Sequence, residues 1–189
     1  MFLNRMRQRR SKPNTPAGEQ RAAPLSPDEL RARTFQRAAK LLAAKPRSVA
    51  ELRERLGERC SDKSVVETVI ARLREYGYLD DERYALTYAA SKVQQQPIGR
   101  RRLEVNLARK KVDRAVADEA LDQVFAETSE ADLLDRAIEK RVRLRGRPKT
   151  RAEAKSLFDH LLRQGFPFEL VADKVRAVSK TDLEADEST

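Results

Sequence analysis

The side chains best equipped for chemistry in this chain are cations, and they come in clusters. Glu139 to Lys155 holds eight basic and two acidic residues, among them Lys140, Arg141, Arg143, Arg145, Arg147, Lys149 and Arg151. Lys140, Arg143 and Arg147 are spaced i, i+3, i+7, which places them on one helical face, roughly opposite the apolar stripe of Leu134, Ile138 and Val142. A second cluster comprises Arg100, Arg101, Arg102, Arg109, Lys110 and Lys111, with Arg102 and Arg109 seven residues apart on a shared face. The chemistry such groups offer is capture of a polyanion. Each phosphate they neutralise releases counterions, so affinity falls steeply with salt. Few Asn or Gln residues lie among them, which favours contact with a nucleic-acid backbone over reading of base edges. Cations can also serve only to keep a helix face solvated. Between Glu139 and Lys155 the scarcity of acidic neighbours argues for a role beyond that.

Covalent and metal chemistry have little to work with. Cys60 is the only cysteine and His160 the only histidine. No intramolecular disulfide and no multi-cysteine metal site can form, which fits a reducing cytoplasm. Cys60 reads as a buried thiol, and His160, beside Leu161 and Leu162, as a surface or boundary residue. No glycine-rich phosphate loop and no metal-ligand cluster is recognisable. The expectation is a protein that is not an enzyme and carries no metal and no cofactor. No apolar run approaches the ~18 residues of a membrane span, and the basic start lacks the apolar segment of a signal peptide. A cytoplasmic protein without a membrane partner is therefore expected.

Composition sets the frame for positioning these groups. The chain has 189 residues, 40% hydrophobic and 37% charged, with a net charge of +10. It can bury a core only through narrow apolar stripes on otherwise charged helices, and its charge favours polyanionic partners. The clearest joint is Tyr76-Gly77-Tyr78-Leu79-Asp80-Asp81-Glu82-Arg83-Tyr84. Gly77 can take the left-handed conformation that ends a helix. Asp80 or Asp81 can cap the next one, and Tyr78 and Leu79 can pack back between the two.

The helical pattern recurs. Pro46, Pro97 and Pro148 are spaced by 51 residues, each followed two residues later by a possible cap: Ser48, Gly99 and Thr150. Capping boxes are expected at Ser26–Glu29, Ser48–Glu51 and Thr150–Glu153. Apolar stripes follow each: Phe35, Ala38, Ala39 and Leu42; Leu52 and Leu56; Val66, Val69, Ile70 and Leu73; Tyr84 and Tyr88; Leu103 and Leu107; Val116 to Val124; Leu157 and Leu161; Val171, Val175 and Val178. No segment alternates with period two over the length of a strand. The fold class is all-α, with three units of helix, proline stop, helix, turn, helix, the range of a stacked helical array. The boundaries are a disordered basic tail at 1–25, repeats at 26–80, 81–127 and 128–180, and an acidic frayed end at 181–189. Most aromatic residues are assigned to core packing. Stacking of single-strand bases is a lesser reading, which falls on Tyr76 and Tyr78.

These residues carry a family resemblance. Gly77-Tyr78-Leu79-Asp80-Asp81-Glu82-Arg83-Tyr84-Ala85 resembles the Gly-Tyr-Leu-(Asn/Asp)-Asp-x-Arg-(Phe/Tyr)-Ala signature of RecX, the bacterial regulator of the RecA recombinase. Gly99-Arg100-Arg101-Arg102-Leu103 with Lys110-Lys111-Val112 resembles its second-repeat pattern, and Leu161-Leu162-Arg163-Gln164-Gly165-Phe166 its third. Lys111 stands where glycine is usual and Gln164 where arginine is frequent. The resemblance implies three tandem three-helix repeats in an elongated, curved array. It implies binding to the RecA–DNA filament, inhibition of its ATPase and strand exchange, and contact with single- and double-stranded DNA; a monomer is expected. Two other readings stand beside it: a sequence-nonspecific DNA-binding protein, and a helix-turn-helix transcription regulator.

Overall fold

The computed structural model describes residues 25–186, with side chains to Ser179; all but the last residue of the basic tail expected over 1–25, and the acidic side chains near the end, lie outside the described residues. The described chain is helical throughout, without strands. The first triplet is α1 (Pro27–Ala44), α2 (Val49–Gly57) and α3 (Lys63–Glu75). The second is α4 (Asp81–Gln95), α5 (Arg100–Arg109) and α6 (Arg114–Glu127). The third is α7 (Glu130–Arg145), α8 (Arg151–Arg163) and α9 (Phe168–Asp186). No proline or glycine follows Pro167, and α9 runs past residue 180, where the sequence placed the start of a frayed end.

Local chemistry explains most boundaries. Ser26 with Glu29 and Thr150 with Glu153 form complete capping boxes, while Asp62, Asp80, Asp113 and Ser129 cap α3, α4, α6 and α7 through their side chains. The box expected at Ser48 is only half formed. Ser48 Oγ accepts from Glu51 N, but the Glu51 carboxylate turns away to meet Lys110. An ion pair with a lysine from the next triplet has displaced the local hydrogen bond. The turn after α5 departs from the usual glycine. Lys111 has φ 57°, the one left-handed non-glycine residue among those described, at the place that Gly77 (φ 68°) and Gly165 (φ 91°) fill in the neighbouring triplets.

Burial follows the expected stripes with two corrections. In the first triplet Ala38, Leu52, Leu56, Ile70 and Leu73 are buried, whereas Ala39 is exposed. In α4 the core stripe is Ala85, Ala89 and Val93, not the tyrosines; Tyr84 and Tyr88 are only half-buried. Small alanines let α4 lie close against α6, which leaves the phenol rings at the margin. The second and third triplets share one continuous core. It includes Leu103, Leu107, Leu121, Leu134, Leu161 and Phe166, each fully buried leucine contributing roughly 1.5–3 kcal/mol.

Successive triplets are joined by the same device used twice. The turn after α5 docks on the N-terminus of α2: Ser48 Oγ donates to the Lys110 carbonyl, Val49 N–H donates to Asp81 Oδ1 at 2.8 Å, and Lys110 Nζ meets Glu51 Oε1 at 3.0 Å. The turn after α8 docks likewise on the N-terminus of α5: Gly99 N–H donates to the Gln164 carbonyl at 3.0 Å, Arg101 N–H to the Gly165 carbonyl at 3.3 Å, and Arg100 N–H to Glu130 Oε1 at 2.8 Å. Asp81 and Glu130 each open the first helix of the following triplet, so a helix-opening carboxylate caps a helix one triplet back. Burial at this joint raises the Asp81 carboxyl above the ordinary aspartate range, partly offset by the Val49 hydrogen bond. Gly99, read from the sequence as a cap, supplies no side chain. Its φ of −83° needs no glycine. It is small because the docking turn presses on it: a Cβ there would fall 2.5 Å from Phe166 N and closer to the Gly165 carbonyl.

Candidate nucleic-acid and protein interface

The densest cationic surface lies where α7 ends and α8 begins. Lys140, Arg143, Arg145, Lys149 and Arg151 are exposed, and Arg141 is half-buried. The expected face of Lys140, Arg143 and Arg147 is broken after Arg145. Gly146, at φ 80°, ends α7, and Arg147 lies beyond the helix. The bend gathers a different set: Arg141, Arg145 and Arg147 line a cleft of about 450 Å³ with Ser156 and Glu153. Among the described residues, no carboxylate lies within ion-pair distance of Lys140, Arg141, Arg143, Arg145, Lys149 or Arg151. Glu153 is turned toward backbone, accepting from Lys149 N–H at 2.7 Å and Thr150 N–H at 3.2 Å.

The electrostatics record the crowding. The Arg141 guanidinium is pushed down by burial and by Arg145 and Arg163. The His160 imidazole is pushed below its ordinary value by burial, then by Arg141, Arg163 and Arg145. Four cationic or potentially cationic groups thus face one another, an arrangement an anion would relieve. Arg163 was not among the sequence candidates. Its signal was available in the Leu161-Leu162-Arg163-Gln164-Gly165-Phe166 motif, but it lies 18 residues from Arg145 and only the α7–α8 pairing brings it near. Leu144, within the band, is 70% exposed, an apolar residue amid the charges.

The second cluster divides. Arg100 is bound to Glu104 Oε1 at 3.2 Å and Asp122 Oδ1 at 2.7 Å. Lys110 and Lys111 reach back to Glu51 and Glu54, at 3.0 and 2.8 Å. The Lys111 contact holds the Glu54 carboxyl below its ordinary value. These three cations tie helices and triplets together. Arg101, Arg102 and Arg109 are exposed, and no carboxylate lies within ion-pair distance of them among the described residues. Adjacency in sequence could not reveal this division, because the partner carboxylates of the two lysines are 57–59 residues away.

Cys60 is buried and its thiol donates to the Asp62 carbonyl at 3.5 Å. Among the described residues no group of three His, Cys, Asp or Glu is placed to hold a metal ion, and no helix is long and apolar enough to cross a membrane.

Comparison with known proteins places this arrangement. Residues 35–73 match the family model of the first three-helix domain of RecX, and residues 80–121 that of the second. The regulatory protein RecX of Halorhodospira halophila is 35% identical over 152 residues, 79% of this chain and 88% of that protein. That of Mycolicibacterium smegmatis is 32% identical over 165 residues, 86% of each. That of Treponema pallidum (strain Nichols) is 38% identical over 109 residues, 58% of this chain and 66% of that protein, just under two thirds of its length. The crystal structure of RecX from Lactobacillus salivarius superposes with a TM-score of 0.70 at 18% identity, over 82% of this chain and 99% of that one. A second RecX crystal structure gives 0.68 at 22% identity, over 80% and 73%. At those identities the two structures speak for the fold.

Proposed function

This chain belongs to the RecX family of regulatory proteins, and on that premise we propose that it is a non-enzymatic, cytoplasmic negative regulator of the RecA recombinase. It binds the recombinase–DNA filament as a monomer and lowers ATP hydrolysis and strand exchange. The band at the α7–α8 joint is the observation that carries the reading. It gathers Lys140, Arg141, Arg143, Arg145, Lys149 and Arg151 on described residues without carboxylate partners, and it faces solvent with Leu144 among them. Such a surface suits phosphates of single- or double-stranded DNA, with an apolar foothold for protein. Arg101, Arg102 and Arg109 extend the contact from the second triplet, while Arg100, Lys110 and Lys111 hold the array in shape.

The test is ATP hydrolysis by the recombinase on single-stranded DNA with this protein titrated in. Inhibition is expected well below one protein per recombinase subunit. The triple variant Lys140→Glu, Arg143→Glu, Lys149→Glu, all at exposed positions, is expected to lose it while keeping its helical circular dichroism. Full inhibition by that variant would remove the band from the contact. No inhibition by the unaltered protein, with DNA binding intact, would replace the regulator reading with that of a general nucleic-acid binder.

A further inference from the structure

The basic band leaves unexplained the residues at the opposite joint, between the first and second triplets. A cleft of about 620 Å³ opens there, within the ~300–1,000 Å³ range of small-ligand sites. Three tyrosines line it: Tyr78, Tyr84 and Tyr88. Tyr78 is 66% exposed and lies edge-on to Tyr76, with ring centroids 6.2 Å apart. Tyr84 and Tyr88 form a near-parallel pair, 6.1 Å apart with 22° between their planes. Because Ala85, Ala89 and Val93 take the core side of α4, these two rings are left at the cleft.

Five cations line the cleft beside Thr87, Ser91 and Asp80. Lys92 Nζ stands over the Tyr88 ring, 5.7 Å from its centroid. Lys45, Arg47 and Arg83 complete the rim with Lys110, whose ammonium is held by Glu51. The one acidic residue in the lining, Asp80, is engaged in capping α4 through Arg83 N–H. Arg83 is itself oriented by a hydrogen bond to the Gly77 carbonyl. Aromatic faces ringed by cations are complementary to a flat base joined to phosphates.

We propose that this cleft takes an unpaired nucleobase of a single nucleic-acid strand, stacked on the tyrosines with its flanking phosphates on Lys45, Arg83 and Lys92. A base within a duplex is already stacked on both faces and cannot enter. The site therefore distinguishes single strands from duplexes without reading sequence, since every base has a π-face. Acidic peptides satisfy the cations but leave the rings uncovered. The inference goes beyond recombinase regulation and does not rest on it, because it uses α4 and the α1–α2 and α3–α4 joints rather than the α7–α8 band.

The chain supplies its own probe. It has four tyrosines and no tryptophan, and all four lie between positions 76 and 88, so intrinsic fluorescence reports on this joint. The unaltered protein is titrated with a 15-nucleotide oligothymidylate, with an abasic oligonucleotide of the same length, with a duplex and with an acidic peptide. Oligothymidylate is expected to quench tyrosine emission and to bind roughly 5- to 100-fold more tightly than the abasic strand. Tyr78→Ser, at an exposed position that does not support the core, and Tyr88→Leu are each expected to bring the two affinities together while leaving the salt slope unchanged. Equal binding of the abasic and base-bearing strands, no effect of either tyrosine variant, or quenching by the acidic peptide but not by oligothymidylate would overturn the assignment. The recombinase assay separates this from the regulator reading: the tyrosine variants act on base-dependent affinity, the α7–α8 variant on inhibition.

Discussion

Replacing Gly99 by alanine tests whether the triplets are held together by backbone docking or by core burial alone. Gly99 has φ −83° and ψ 161°, a conformation alanine adopts freely, so the substitution probes space rather than strain. The added Cβ would lie 2.5 Å from Phe166 N, where ordinary contact begins near 3.4 Å, so the turn after α8 must recede by about 1 Å. The obstacle is main chain, which cannot rotate aside as a side chain can. Recession stretches two hydrogen bonds, Gly99 N–H to Gln164 O and Arg101 N–H to Gly165 O, each contributing ~1 kcal/mol. It also unseats Phe166, only 1% exposed, and overpacking of this kind costs ~1–3 kcal/mol. The expected loss is about 3–5 kcal/mol, a fall of roughly 1.5–2.5 M in the urea midpoint at a slope of ~2 kcal/mol/M. Gly57→Ala is the control. It lies within α2 with nothing within 4 Å of an added Cβ, and a gain of ~0.5–1 kcal/mol is expected. If Gly99→Ala unfolds at the unaltered midpoint while the control shifts upward, the docking of the α8–α9 turn on α5 contributes nothing to stability and the reasoning fails.

Lys111→Gly is expected to stabilise. It relieves a left-handed lysine, worth ~1–2 kcal/mol, and sacrifices only the exposed pair with Glu54, worth ~0–1 kcal/mol. A net gain of about 0.5–1 kcal/mol should appear in the denaturation midpoint, and a loss would mean that the inter-triplet ion pair outweighs the backbone strain. His160, the only histidine, gives a single Hε1 resonance in proton NMR. Its folded-state pKa is expected below the ordinary 6.5 because burial and Arg141, Arg163 and Arg145 oppose its charge. The unfolded chain therefore takes the proton first: the His160 contribution to stability is full above about pH 6.5 and declines as pH falls through the folded pKa. Binding of DNA phosphates at the α7–α8 joint should raise that pKa, and an unmoved titration curve in saturating duplex would place the phosphates elsewhere.

Much of this molecule was legible one helix at a time. Ser26, Asp80 and Thr150 cap helices because a short oxygen-bearing side chain beside free N–H groups acts within four residues, and the sequence displays every partner. The stripes Leu52–Leu56, Val66–Leu73, Leu103–Leu107 and Leu157–Leu161 were equally plain, because burial of one helix face imposes its period on the chain. The motif at Gly77–Ala85 pointed to the family that comparison then established.

What escaped the sequence was whatever depended on a partner from another triplet. Glu51 looked like half of a capping box until the docked turn offered it Lys110. Arg100, Lys110 and Lys111 looked like Arg101, Arg102 and Arg109, and only packing divided cross-links from open cations. Tyr84 and Tyr88 had core spacing, but the close approach of α4 to α6 favoured Ala85 and Ala89 and turned the rings toward a cleft. Sequence alone determines helices, caps and which stripe seeks cover, because those rest on forces acting over one or two turns. Tertiary structure decides which charges are satisfied and which surfaces stay open, because ion pairing and burial depend on distance in space, and the fold brings together residues 57–59 positions apart in the chain.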